Sequence, residues 1–265
     1  MPASRPVILH YHLFKCAGTS IEQVLKSQFG RRFATWDKSD PAAKISAIEM
    51  AAYIHEHPEL VAISSHQAIP PLPIVAGARV HPVVFLRHPL DRMLSTYRFS
   101  RQRASAIPTD RLASNNSLKD YVRTLLEQGN ANHASNFYVY SLTDQRDPAT
   151  NKLLPVGPKR HLGQAKAFLR SLPVVGIVER FVESTAAFQS IISAELPDFR
   201  FPVVEANVTS PRQTTLETRL EYIRNELGDD LWQRLLERNA PDFELYRIAE
   251  QRLESALARE SAANG

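Results

Sequence analysis

Lys15, Gly18, Thr19 and Ser20 share one short stretch of chain. Before them runs an apolar segment, Val7–Phe14, that reads as a buried strand. After them Ile21, Val24, Leu25 and Phe29 fall on one helical face, with Gly30 as the stop. Strand, small-residue turn and helix N-terminus together bind phosphate. Unpaired N–H groups and the helix dipole face the anion, and a lysine adds charge. Thr19 with Glu22, or Ser20 with Gln23, has capping-box spacing. The Walker A spacing is absent, because Lys15 precedes Gly18, so the loop holds phosphate differently from a nucleotide triphosphatase. A second grip is Arg87, at the end of the apolar run Val80–Leu86, with Pro89 opening a helix that contains Ser95. A guanidinium at a strand's C-terminal edge suits a pair of phosphate oxygens. His66 follows a third apolar run, Leu60–Ser64, and falls at the same edge, where an imidazole can take a hydroxyl proton near neutrality.

Other residues invite chemistry less strongly. His10 and His12 lie two apart on a strand and point the same way, but an H-x-H pair without a third ligand is a weak metal site. Cys16 beside Lys15 could be a nucleophile or simply a small loop residue. Asn132, His133, Asn136 and the loop 67–79 could line an acceptor cleft.

The elements that must position these residues alternate strand and helix, which predicts an α/β fold with a central parallel sheet flanked by helices. Strands are expected at Val7–Phe14, Leu60–Ser64, Val80–Leu86 and Leu172–Val178. Helices are expected from Ile21, over Pro41–His57, from Pro89 to about Arg103, around Leu118–Leu126, around Leu162–Leu169 and over Glu179–Glu195. The C-terminal region reads as helical over roughly 213–227, 229–239 and 242–262. Segments 31–40, 105–116, 144–158 and 197–212 read as loops, and 132–142 could be a helix. At 265 residues, without repeats, the chain is read as a single domain over 1–265. A net charge of +4, from 32 basic and 28 acidic residues, suits a binder of a polyanionic nucleotide. No basic run suggests a nucleic-acid partner. The single cysteine excludes an internal disulfide. The N-terminus lacks a signal-peptide pattern and no stretch is apolar enough to span a bilayer, so a cytoplasmic enzyme is expected.

Residues 12–21, HLFKCAGTSI, resemble the 5′-phosphosulfate loop of sulfotransferases. The match is to the branch with heparan-sulfate 2-O-sulfotransferases and many bacterial carbohydrate sulfotransferases, whose pattern is close to H-I-P-K-[TC]-[AG]-G-T-S-[LI]. Phe14 stands where that branch has proline. Residues 83–97, VVFLRHPLDRMLSTY, resemble the family's 3′-phosphate motif R-[DN]-P-x-x-R-x-x-S-x-Y. Arg87, Pro89, Arg92, Ser95 and Tyr97 are in register, and His88 replaces the acidic or amide residue. Residues 174–188 and 235–249 resemble further family segments that carry packing, and 204–212 resembles a late loop lying over the nucleotide.

The resemblance implies a P-loop-like three-layer fold and 3′-phosphoadenosine 5′-phosphosulfate (PAPS) as donor, with no metal required. It implies that Lys15, Cys16, Ala17, Gly18, Thr19 and Ser20 surround the 5′-phosphosulfate and that Arg87 and Ser95 hold the 3′-phosphate. Ser210 and Arg212, with Asn207, are implied loop contacts. Lys15 and His66 are the implied catalytic pair, with Ser65 where the family's G-H motif has glycine. The implied acceptor is a hydroxyl, in this branch mostly on a saccharide. Two alternatives stand beside this. A P-loop-like nucleotide kinase would need a Mg²⁺ ligand and a lysine after the glycine. A non-catalytic nucleotide-binding module would not need Lys15 and His66.

Overall fold

The computed structural model describes residues 4–103, 107–127, 133–144, 158–201 and 215–264. Five strands form one sheet: β1 (Arg5–Tyr11), β2 (Phe33–Thr35), β3 (Ala62–Ser65), β4 (Ala78–Leu86) and β5 (Gly176–Ile177), in the order β2-β3-β1-β4-β5. Every pair is parallel. Tyr11 at the end of β1 stands opposite Ser65 of β3 and Val84 of β4. The central strands end together, so the loops after β1, β3 and β4 open on one edge. Val7, Ile8, Leu9, Ile63, Val83, Val84 and Leu86 are wholly buried, as the continuous apolar runs of a sheet covered on both faces require.

The helices are α1 (Gly18–Phe29), α2 (Ala47–Glu56), α3 (Pro89–Gln102), α4 (Pro108–Asn115), α5 (Leu118–Glu127), α6 (Phe137–Ser141), α7 (Pro158–Ser171), α8 (Phe181–Ile192), α9 (Leu216–Leu227), α10 (Asp229–Arg238) and α11 (Ala240–Asn264). The predicted α/β fold with a parallel sheet between helices and a helical C-terminal region is the fold observed. A first core packs α1, α2, α7, α8 and α11 around the sheet. A second gathers Leu90, Met93, Leu94 and Tyr97 of α3 with α4, α5, α9 and α10. α3 thus gives one face to packing, and the neighbouring face, with Asp91, Ser95 and Phe99 at successive turns, looks on the sheet edge.

Several elements differ from expectation. Phe33–Thr35, read as loop, is edge strand β2 on β3, too short to give a periodic signal. Pro108–Asn115, also read as loop, is α4, opened by a proline at its first turn. α2 begins only at Ala47, because Ser46 and Glu49 form a capping box there. Strand Leu172–Val178 shrinks to Gly176–Ile177. Among the described residues, no helix is long and apolar enough to cross a membrane.

Candidate active site

Lys15 and Ala17 both have left-handed backbones, at φ 64° and 63°, which non-glycine residues rarely adopt and which cost free energy. A left-handed residue leading into a right-handed helix gathers successive N–H groups into a concave anion nest. α1 starts at Gly18 with no side-chain cap. Among the described residues, the N–H groups of Gly18 and Thr19 donate to no backbone carbonyl. The expected capping boxes are absent, because α1 starts at Gly18 and places Thr19 and Ser20 inside its first turn rather than at the N-cap. Gly18 is required by its neighbour: a Cβ there would lie 1.9 Å from His12 Cδ2. Cys16 turns into the core, 3.6 Å from the Tyr138 hydroxyl, and burial pushes its thiol up to about 11. A thiol held protonated is a poor nucleophile, so Cys16 can offer the loop only its backbone. The Lys15 ammonium lies 4.4 Å from the centre of the Phe99 ring. Partial burial, and then the nearby Arg87 charge, lower its pKa.

Arg87 follows β4. The Tyr138 hydroxyl accepts its N–H at 2.9 Å and donates to its carbonyl. Tyr138 thus ties the Cys16 loop to Arg87. α6, which carries it, is held by Asp242 of α11, whose carboxylate accepts the Tyr138 and Val139 N–H groups. Arg87 Nε donates to Asp91 Oδ2 at 2.7 Å. The same carboxylate takes Arg219 of α9 in a fork, at 2.7 and 2.9 Å. Asp91 is only 1% exposed. Burial would raise its pKa, but the hydrogen bond from Arg219 and the charge of Arg87 outweigh that and hold it low. Ser95 is half-buried on the same face of α3, one turn from Asp91 and one turn from Phe99, beneath Lys15. Sequence reasoning missed Arg219. It lies 128 residues from Asp91, in an ordinary amphipathic helix, and no spacing signals the pair.

The other motif residues are structural. Arg92 is buried, donates to the His133 carbonyl at 2.8 Å and lies 4.0 Å from the Phe137 ring centre. The Tyr97 hydroxyl donates to Asn116 O. Glu179 accepts the His88 N–H at 2.8 Å and the Tyr246 hydroxyl at 3.1 Å, and burial raises its pKa. It pins the start of α3 rather than facing the cleft. Beside it His88, Phe243, Tyr246 and Arg247 line a cavity of about 540 Å³, next to Arg87 in the chain. Asn136 has a left-handed backbone ahead of α6. His133 is half-buried, with its pKa lowered by burial and then by Arg92. Asn132, Asn207, Ser210 and Arg212 lie outside the described residues.

His66 leaves the end of β3 with its N–H on Asp37 Oδ1 at 2.9 Å. Its Nδ1 lies 3.1 Å from the His12 carbonyl. A carbonyl only accepts, so Nδ1 carries the hydrogen and Nε2 keeps a free lone pair. One face of the ring lies on His12, centroids 3.7 Å apart, while the residue stays open to solvent. Lost hydration on that face, and then the His12 charge, lower its pKa. Beneath it, His12 Nδ1 meets Glu22 Oε1 at 2.8 Å, Ser64 Oγ donates to the same oxygen at 2.7 Å, and His10 Nδ1 meets Ser64 Oγ at 2.8 Å. Donor atoms of His10, His12 and Glu22 lie within 4.8 Å of one another, so the third group that the H-x-H pair lacked in sequence is supplied by α1.

The parallel sheet, the uncapped helix behind a lysine loop and the arginine at the next strand end form an α/β arrangement whose sheet edge can receive an anion. A sequence profile of the sulfotransferase family matches residues 2–248. An uncharacterised protein of Archaeoglobus fulgidus is 30% identical over 248 residues, covering 92% of this chain and 95% of that one. The chain belongs to the sulfotransferase family, whose chemistry is sulfuryl transfer to a hydroxyl-bearing acceptor.

Proposed function

We propose that the protein transfers a sulfuryl group from PAPS to a carbohydrate hydroxyl. The observation that carries this is the convergence of Lys15, His66 and Arg87. They stand at the C-terminal ends of three adjacent parallel strands, beside an uncapped helix. PAPS would supply the sulfuryl group and leave as adenosine 3′,5′-bisphosphate. The N–H groups of the loop Cys16–Ser20 hold its 5′-phosphate, and Arg87 with Ser95 holds the 3′-phosphate. Lys15 neutralises the charge that develops on the bridging oxygen as the sulfur–oxygen bond breaks. His66 Nε2 takes the acceptor's proton as that oxygen attacks in line. Asn207, Ser210 and Arg212 are proposed as further contacts of the nucleotide, on the family resemblance of residues 204–212 alone. Positioning and fixed charge suffice, so no metal is required. Lys15 ahead of the glycine argues against a nucleotide kinase. The whole chain, 1–265, acts as one domain, and its lone unpaired cysteine suits the cytoplasm.

The test is transfer of radiolabelled sulfate from PAPS to a saccharide panel in EDTA. Transfer should proceed, and His66→Ala should lower turnover by roughly 10²–10⁴ with donor affinity nearly intact. Turnover that vanishes in chelator and returns with Mg²⁺, or that uses ATP instead, would replace this function with a kinase. His66→Ala with normal turnover would remove His66 as the base.

A further inference from the structure

We propose that Glu22 is a positioning residue that locks His12, and through it sets both the proton acceptor His66 and the donor loop. The proposal rests on the reading of His66 as the base and adds a residue outside the family motifs quoted above. Glu22 lies one turn inside α1, the helix that the loop leads into. Its Oε1 accepts from two directions, from His12 Nδ1 at 2.8 Å and from Ser64 Oγ at 2.7 Å. Burial would raise its pKa, but these hydrogen bonds outweigh it and bring it to about 2, so it is a carboxylate throughout the working range.

That carboxylate joins three elements at the sheet edge: α1, the end of β1 and the end of β3. An acceptor on Nδ1 fixes both the tautomer and the plane of the His12 ring. Both faces of that plane matter. On one side the ring packs where a Gly18 side chain would be, so its place sets how closely the loop approaches. It also lies 3.7 Å from the His66 ring, while the His12 carbonyl holds His66 Nδ1. A tilt of His12 would therefore move the His66 lone pair and the nest amides together. His10, stacked 5.2 Å from His12 and tied to Ser64, closes the network from below. A metal ion bound through both His12 Nδ1 and Glu22 Oε1 would have to break the hydrogen bond between them. The hydrogen-bonded arrangement needs no ion.

Two substitutions test this. Glu22→Leu removes the acceptor, and Glu22→Gln keeps an oxygen that can still accept from His12. Glu22→Leu should lower kcat by roughly 10- to 100-fold, the usual scale for removing a group that orients an active-site ligand. The Kd for adenosine 3′,5′-bisphosphate should rise several-fold at the same time, because the nest amides move with His12, and Glu22→Gln should recover most of both losses. Nitrogen NMR of the imidazoles should show His12 as the Nδ1–H tautomer in the parent and in Glu22→Gln, and a loss of that preference in Glu22→Leu. Parent-like kcat in folded Glu22→Leu, equal losses in both variants, or an unmoved His12 tautomer would each overturn the proposal. So would stoichiometric metal in the purified protein, bound through Glu22. The tautomer measurement needs no turnover. If His66→Ala proves active, the base assignment fails while the hold of Glu22 on His12 is still read directly.

Discussion

The two proposed anion grips at the sheet edge are built in opposite ways. The loop before α1 works with backbone. Two non-glycine residues take left-handed conformations, no side chain caps the helix, and Cys16 hides its side chain in the core. The grip at α3 works with side chains. Arg87 reaches out from the strand end and is steered by a buried carboxylate that it shares with Arg219. A backbone grip tolerates no added atom, since its geometry is the ligand. A side-chain grip tolerates variation around it but depends on the partner that aims it.

The contrast breaks most sharply at Gly18. Gly18→Ala puts a methyl into the His12 ring, and overpacking of this kind costs about 1–3 kcal/mol or more. Affinity for any 5′-phosphorylated nucleotide should fall by about 100-fold or more, whether or not a 3′-phosphate is present. Adding His12→Ala reopens the space and should recover part of the nucleotide binding, read by calorimetry. Normal binding by Gly18→Ala would show that the loop is not a rigid backbone device.

Arg87→Ala should cost less and cost it selectively. Losing one charge-assisted hydrogen-bond set removes on the order of 1.5–3 kcal/mol, or roughly 10- to 150-fold, from the 3′-bisphosphate and almost nothing from 5′-AMP. Asp91→Asn leaves the guanidinium in place but weakens its aim. A loss of a few-fold, confined to the 3′-phosphate, is expected from side-by-side titrations. An equal loss for both nucleotides would mean that Asp91 serves only to dock α9.

The smallest effect is on pH. A base must be neutral to accept a proton, and the His66 pKa is depressed by burial and by His12. The rate should therefore rise with pH and reach its plateau below the range of a free imidazole, already flat at pH 7. A limb still rising above pH 7 would point to another base.

Much of this was legible in the chain because backbone grips and buried strands leave local signals. Lys15 before Gly18, Arg87 eight residues before Ser95, and three apolar runs ending at one edge are all short-range patterns. What escaped was long-range or too short. Arg219 meets Asp91 across the fold, and Glu22 has capping-box spacing but spends its carboxylate on His12 and Ser64. β2 has three residues, and α4 hides behind a proline in a polar stretch. Glu179, which opens an expected helix in the sequence, is spent on holding His88 and Tyr246.

The central claim is that both grips seat one nucleotide carrying phosphates at its 5′ and 3′ positions. The direct measurement is calorimetric titration of the wild-type protein with adenosine 3′,5′-bisphosphate and with 5′-AMP at the same ionic strength. The bisphosphate should bind roughly 10- to 150-fold more tightly, the worth of one charge-assisted set at Arg87. Equal affinities would contradict the account and leave Arg87 and Ser95 without a ligand.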